Sequence, residues 1–229
     1  MDVKKLYNNI VIKKDSSFLK FNLNSWPKTR YEAAVKFINI KPTSKVLDVG
    51  FGNGDLLNFI FQKTKYTYGV EVSKKKLMYV NNLLPLKANL SLQDISNKTN
   101  FKNDFFNIIF LTDVFEHIID RYSVMNELKR ILKKDGIIVI ITPNIAKLKS
   151  RIRLLFGIYP FTSEDRVSEK KKFIYDGGHI QWYTFKTISS LAKQFDLNIE
   201  KRFGYGLFGQ LHNIYPSLLS GSIAIILKK

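Results

Sequence analysis

The nine residues Val46-Leu47-Asp48-Val49-Gly50-Phe51-Gly52-Asn53-Gly54 constrain this chain more than any other stretch. An apolar run ends in glycines at 50, 52 and 54, and residues 55–63 then carry apolar groups at helical spacing. A buried strand that passes through a glycine turn into a helix opens a βαβ unit. Glycine permits the left-handed turn and lets a ligand approach the backbone and the N-terminus of the next helix. The alternation continues. Residues 66–71 read as a second strand, Ser73 caps a helix through about residue 83, and residues 89–92 form a brief third strand. Residues 105–111 (FFNIIFL) and 136–142 (GIIVIIT) are unbroken apolar runs, as parallel strands covered on both faces are. Helices are expected over 121–132 and 185–195, and closing strands over 197–202 and 222–228. This alternation predicts an α/β fold with a parallel sheet and right-handed crossovers.

Two stretches depart from the rhythm. Residues 26–40 carry Tyr31, Ala34, Val35, Phe37 and Ile38 at helical spacing after Pro27, so residues 1–44 are expected to form an N-terminal helical segment. Residues 145–180 mix basic, aromatic and glycine residues without a clear strand. They are long for a plain connection and read as a lid insertion. The 229 residues are taken as one domain, 1–229. No apolar run reaches the roughly 20 residues of a membrane helix, and the N-terminus lacks the apolar core of a signal peptide. A cytoplasmic protein is expected, with peripheral membrane contact left open.

Lys and Arg number 37 against 19 Asp and Glu, so the formal charge is 37 − 19 = +18. Such a surface attracts nucleic acid, anionic membrane or acidic substrates, or is a solvated face in a Lys-rich composition. The absence of cysteine excludes disulfides, thiolate metal sites and a cysteine nucleophile. The three histidines, 117, 179 and 212, are far apart in sequence, and no metal site is expected.

The acidic residues around the glycines indicate the ligand. The nicotinamide fingerprint places its third glycine one residue later, where this chain has Asp55, and acids beside a pyrophosphate are repulsive. Asp48 and Asp55 suit instead a ligand with a cationic ammonium and sulfonium, S-adenosylmethionine (SAM), whose product is S-adenosylhomocysteine. Glu71, ending the second strand with Val72 beside it, can accept from ribose hydroxyls. Asp94 can accept from an adenine amino group while Ile95 packs on the ring.

On these residues the chain resembles the class I SAM-dependent methyltransferases over about residues 30–229. The resemblance implies a Rossmann-like three-layer sandwich with a seven-stranded sheet, mostly parallel, whose last strand is antiparallel. The family's glycine motif falls on Asp48, Gly50, Gly52 and Gly54, its ribose acid on Glu71 and its adenine acid on Asp94. Thr112-Asp113-Val114-Phe115-Glu116-His117 resembles the LEH segment of small-molecule methyltransferases of the ubiquinone-biosynthesis type. His179-Ile180-Gln181-Trp182-Tyr183-Thr184 resembles the H-x-x-x-[FY]-T segment that many of them carry, and this likeness extends to relatives encoded in glycan clusters.

Methyl transfer to a hydroxyl needs the nucleophile held in line, water excluded and a proton removed. His117 and His179 are the candidate bases; the alternative for each is a structural role, orienting the loop or tying the lid down. Thr112 and Phe115 are expected to line the cofactor pocket, and Trp26 and Arg30 another wall. Arg151, Arg153, Arg166 and Lys170 to Lys172, with Phe156, Tyr159, Phe161, Phe173 and Tyr175, can grip an anionic or sugar-linked acceptor, rest on a membrane, or form an ordinary lid. The leading expectation is a small-molecule O-methyltransferase acting on a sugar or glycan precursor. The alternatives are a nucleic-acid methyltransferase and a non-catalytic SAM-binding subunit. Thr112 to Phe115 does not match the [DNS]-P-P-[YFW] segment of adenine amino methylation, and no cysteine is available for covalent cytosine methylation.

Overall fold

A computed structural model of the chain describes residues 18–84, 88–163, 176–206 and 208–229. Seven strands, β1 (Val46–Val49), β2 (Thr67–Glu71), β3 (Asn89–Leu92), β4 (Phe106–Thr112), β5 (Leu132–Pro143), β6 (Asn198–Phe203) and β7 (Ser222–Lys228), form one sheet in the order β3-β2-β1-β4-β5-β7-β6. The pairs β2–β3, β1–β2, β1–β4 and β4–β5 are parallel, and β7 runs antiparallel to both β5 and β6. The expected mostly parallel seven-stranded sheet with an antiparallel last strand is therefore what forms.

Alternation of side chains across each strand divides the core into two layers. Leu47 and Val49 of β1, Ile109 and Leu111 of β4, Ile138 and Ile140 of β5, and Ile223 and Ile225 of β7 share one face. They are covered by α4 (Arg121–Ile131) and α6 (Phe185–Gln194) through residues such as Leu128 and Ile188. Val46, Ile108, Phe110, Val139, Ile141 and Ile226 share the other face. There α1 (Arg30–Val35) contributes Ala33 to Val35, and α2 (Asp55–Phe61) contributes Leu56 and Ile60. Leu57 of α2 carries this layer on to Val80 of α3 (Lys74–Leu83). Two short helices, α5 (Leu148–Leu155) and α7 (Pro216–Leu219), complete the set among the described residues.

Three local differences from expectation have physical causes. Helix in the N-terminal segment is confined, within residues 18–44, to Arg30–Val35; residues 1–17 lie outside the described residues. Thr29 and Glu32 form a capping box, and the Glu32 carboxylate also accepts from the amides of Asn22 (2.8 Å) and Lys28 (2.9 Å). The chain before Thr29 thus wraps around one carboxylate instead of extending the helix, and Phe21, Leu23 and Trp26 pack against the core from irregular backbone. Strand β5 begins four residues earlier than its apolar run, because Leu132 still pairs with Phe106 across a register shift. Helix α5 went unread because its apolar side chains do not face the core: only Ser150 of its residues is buried.

Segment 145–180 leaves and rejoins the sheet at one place. Ile145 N donates to Tyr183 O (3.1 Å), and Asn144 N donates to Gly221 O (3.0 Å). The fully buried Asn144 side chain donates to Ser217 O (3.0 Å) and Ser220 O (2.9 Å) and accepts from Ala146 N (3.0 Å). Truncation leaves three backbone groups, one buried and two part-buried, without this partner. We expect Asn144→Ala to lose about 2–4 kcal/mol in urea denaturation while the far-ultraviolet spectrum stays native; a loss under about 1 kcal/mol would show that the anchor is dispensable.

Candidate active site

The strand order reverses between β1 and β4, and the carboxyl ends of these strands open into a crevice, the usual ligand position in such sheets. The crevice is a cavity of about 1130 Å³. The loop after β1, the ends of β2 and β4, and the start of the segment after β3 meet there, so Asp48, Gly50, Gly52, Glu71, Val72, Asp94, Ile95, Thr112, His117 and His179 all line it. Two expected residues do not. Gly54 caps α2 at φ +82°, and a Cβ there would sit 2.9 Å from Val80 Cγ1, so it serves close helix packing. Phe115 is fully buried in the core against Tyr183, with ring centroids 5.1 Å apart.

The glycines have distinct tasks. At Gly50 (φ +66°) a Cβ would lie 2.6 Å from Val114 Cγ2, whereas at Gly52 (φ +56°) the nearest atom is 3.9 Å away. Gly50 brings β1 against the β4 loop, and Gly52 leaves the cavity open above the backbone. Glu71 fastens this loop: its Oε2 accepts from Gly52 N (3.1 Å), and its Oε1 from Val72 N (2.9 Å) and Ser73 N (3.0 Å). Asp48 is buried, and its Oδ2 has no hydrogen-bond partner among the described residues. Burial, then the nearby Glu71 charge, pushes its carboxyl well above the usual range. Asp94 Oδ1 accepts from Ser96 N (2.9 Å).

After β4, Asp113 takes a left-handed φ of +52°, which aspartate tolerates better than most residues, and its carboxylate pairs with Arg30. Arg30 therefore forms the expected wall, joined by Tyr31 and by Tyr205. Trp26 turns away and donates from Nε1 to Gly204 O (3.1 Å), packing on Phe37 and Phe203. A short 3-10 turn, Phe115–His117, follows. Glu116 is buried; its Oε2 accepts from Thr142 Oγ1 (2.9 Å), while Oε1 has no hydrogen-bond partner among the described residues. Burial, then the Asp113 charge, pushes its carboxyl up to about 8. Its carbonyl accepts from Ile180 N and Gln181 N, both at 3.0 Å, and so docks the end of the lid segment.

That docking brings His179 to His117, with ring centroids 4.9 Å apart. His117 Nδ1 lies 3.0 Å from Gly178 O and donates to it. Burial, followed in the lowering direction by His179, pushes the His117 imidazole down and keeps it neutral near pH 7. His179 Nδ1 lies 2.7 Å from Thr162 Oγ1, which in turn donates to Asp176 Oδ2 (2.6 Å). Burial pushes the Asp176 carboxyl up, but hydrogen bonds from Thr162, Ser163 and Trp182 outweigh it and hold the group below the usual range. One potential ligand atom from each of Glu116, His117 and His179 lies within 4.8 Å of the others. Sequence distance argued against a metal cluster, and the fold removes that distance. His212 stands apart, buried with Nδ1 2.9 Å from Leu219 O. Of the lid's charged and aromatic residues, Phe156 is exposed and Tyr159 pairs with Phe161 at 5.0 Å; Arg166, Lys170 to Lys172, Phe173 and Tyr175 lie outside the described residues.

Sequence reasoning missed Thr162, Asp176 and Tyr205. None sits in a motif: Asp176 and Tyr205 flank glycines that carried no expectation, Thr162 and Tyr205 reach the cavity from segments far apart in sequence, and Asp176 stands behind Thr162.

Residues 23–202 match a family model described as a methyltransferase domain. A ubiquinone biosynthesis O-methyltransferase from Haemophilus ducreyi is 28% identical over 120 residues, which cover 49% of this chain and 50% of that protein. The match thus spans about half the length of this curated relative. Among solved structures, a SAM-dependent methyltransferase from Aquifex aeolicus superposes with a TM-score of 0.58 at 17% identity, covering 86% of this chain and 88% of that one. One from Thermotoga maritima reaches 0.63 at 15% identity, covering 87% of each chain. These two likenesses concern the fold.

The two glycines predict different outcomes. Gly52→Ala has only the left-handed backbone to overcome, about 1–2 kcal/mol, while Gly50→Ala must also displace Val114 and is expected to cost clearly more in chemical denaturation. Equal losses would contradict the open space above Gly52. Glu116 gives a pH prediction. Its folded pKa, about 8, is above the ordinary carboxyl value of 4.5, so its stabilising share is full below about 4.5 and is lost as pH rises through 8. Glu116→Gln should therefore melt progressively higher than the parent between pH 5 and 8, by several degrees at the upper end. A pH-independent difference would refute the raised value.

Proposed function

The chain belongs to the methyltransferase domain family matched by residues 23–202, and on that premise we propose that it transfers a methyl group from SAM to a hydroxyl of a small molecule, a sugar or glycan precursor. The reading treats residues 1–229 as one domain with residues 145–180 as its lid. Among the described residues no helix is long and apolar enough to cross a membrane.

The residues around the glycine loop fit the cofactor. The space above Gly52 admits a ligand onto the backbone, and the unpartnered, buried Asp48 oxygen accounts for a cationic group nearby. Glu71 is the acid for the ribose. Three of its roughly four lone-pair sites already accept amides, so it can take one ribose hydroxyl as it stands, and a second only by releasing an amide. Asp94 serves the adenine amino group, and Ile95 and Val72 its ring faces. When bound, SAM supplies a methyl group on a sulfonium centre.

The observation that carries the hydroxyl assignment is the imidazole pair, His117 and His179, on the wall of the same cavity as the glycine loop. A neutral imidazole offers the lone pair that hydroxyl activation needs. Burial holds His117 in that form, and the carbonyl of Gly178 fixes its ring. The printed name of the H. ducreyi relative, an O-methyltransferase, supports oxygen as the accepting atom.

Two measurements test this. In calorimetry the protein should bind SAM and S-adenosylhomocysteine saturably, with Gly52→Arg and Glu71→Gln at least about tenfold weaker; no binding by folded protein would sink the reading. With methyl-labelled SAM and a panel of phosphorylated and nucleotide-linked sugars, label should enter an alkali-stable ether. His117→Ala and His179→Ala should each lower kcat by about 10²–10⁴ with SAM affinity kept. Label confined to nitrogen or carboxyl groups would overturn the hydroxyl assignment.

A further inference from the structure

We propose that Glu116, His117 and His179 form a binding site for one divalent transition-metal ion of the zinc or manganese class, facing the acceptor side of the cavity. The donor set is two imidazoles and a carboxylate. It matches the borderline first-row ions and disfavours calcium and magnesium, which take oxygen ligands.

The hydrogen bonds behind the imidazoles support the assignment. His117 Nδ1 donates to Gly178 O (3.0 Å), which leaves its lone pair on Nε2. For His179 the same conclusion follows from a chain of bonds. The Thr162 hydroxyl has one hydrogen, which goes to the Asp176 carboxylate at 2.6 Å; the hydroxyl therefore accepts from His179 Nδ1 at 2.7 Å. The His179 lone pair is thus also on Nε2, 3.8 Å from Glu116 Oε1. Ligating histidines in metal sites are held in this way, by a carbonyl or carboxylate network on the far nitrogen that fixes tautomer and orientation. Glu116 adds the third donor. Its Oε2 is held by Thr142, and its buried Oε1 lacks a hydrogen-bond partner among the described residues. A buried carboxyl oxygen in that condition would be satisfied by a cation, which would also hold the group ionised.

The spacing is that of a site before the ion enters. Bonds of about 2.1 Å place ligand atoms about 3.0–3.4 Å apart, against a largest separation of 4.8 Å here. Small side-chain rotations close that gap. His117 and His179 both line the cavity, so remaining coordination positions face the space where an acceptor lies.

The role assigned to the ion rests on the hydroxyl reading above and would replace direct proton removal by the imidazoles, whose Nε2 lone pairs it would occupy; its binding does not rest on that reading. Held by Glu116, His117 and His179, the ion would lower the pKa of an acceptor hydroxyl, so that its proton could leave to water while the electron pair stays on oxygen.

The test uses the full chain freed of metal by chelation, then titrated with Zn²⁺, Mn²⁺ and Mg²⁺ by calorimetry, with Co²⁺ absorption as an optical readout. We expect one equivalent of Zn²⁺ or Mn²⁺ and at least about hundredfold weaker Mg²⁺ binding. Glu116→Gln and His179→Gln should each weaken Zn²⁺ at least about hundredfold. Thr162→Val, which keeps all three donors, should weaken it about 10–100-fold. Circular dichroism of each variant separates ligand loss from unfolding. Less than about a tenth of an equivalent bound, or affinity indifferent to these variants, overturns the site. SAM titration of the same samples is a separate readout, so retained SAM binding with no metal binding removes this inference and leaves the methyltransferase reading intact.

Discussion

One carboxylate holds the cofactor side of this molecule together. Glu71 ends β2 and accepts from the amides of Gly52, Val72 and Ser73. The first belongs to the glycine loop after β1, and the last is the N-cap of α3. Backbone amides at a turn are hard to satisfy without secondary structure, and here a single side chain satisfies three of them on two separate crossovers. The loop can therefore keep its left-handed glycines open to the cavity, and α3 begins where β2 stops. In the proposed reading, this is also the charge that the cofactor's ribose would share.

The acceptor side is organised by a different economy. Glu116 is held at two points, its carboxylate by Thr142 and its carbonyl by the amides of residues 180 and 181, which leaves its other carboxyl oxygen 3.8 Å from His179 Nε2. The lid return and the imidazole pair are consequently one structure. Asp48, Glu71 and Thr112 reach the cavity from strand ends, whereas His179 and Thr162 reach it from segment 145–180.

Most of the sheet was legible because its physics is local. The apolar runs at β4 and β5, the glycine turn after β1 and the Ser73 cap each announce themselves within a few residues. Asp48, Glu71 and Asp94 follow the strand ends, and their place on the cavity was readable for the same reason. Gly54 and Phe115 were expected at the cavity and do not line it, because motif position does not say which atoms face the ligand space. Gly54 is a packing residue against Val80, and Phe115 is core. Thr162 and Asp176 were invisible because their partnership with His179 is a tertiary event, made by a segment whose own pattern has no period. The short reach of α1 was hidden too, since Glu32 competes for the amides that would have continued the helix backwards.

The joined ends of segment 145–180 have a consequence for how this protein can diversify. Ile145 bonds to Tyr183, and Asn144 is clamped to residues 217, 220 and 221, so the chain departs and returns at neighbouring points. The entropy of closing such an excursion grows only with the logarithm of its length, about 0.6 kcal/mol for each doubling. Lengthening or rewriting its middle is thus cheap for the sheet, provided the anchors survive. The anchors, not the length of what they enclose, are therefore what the sheet requires of this segment: its middle can be rewritten while the strands, the glycine turn and the Glu71 clasp stay unchanged.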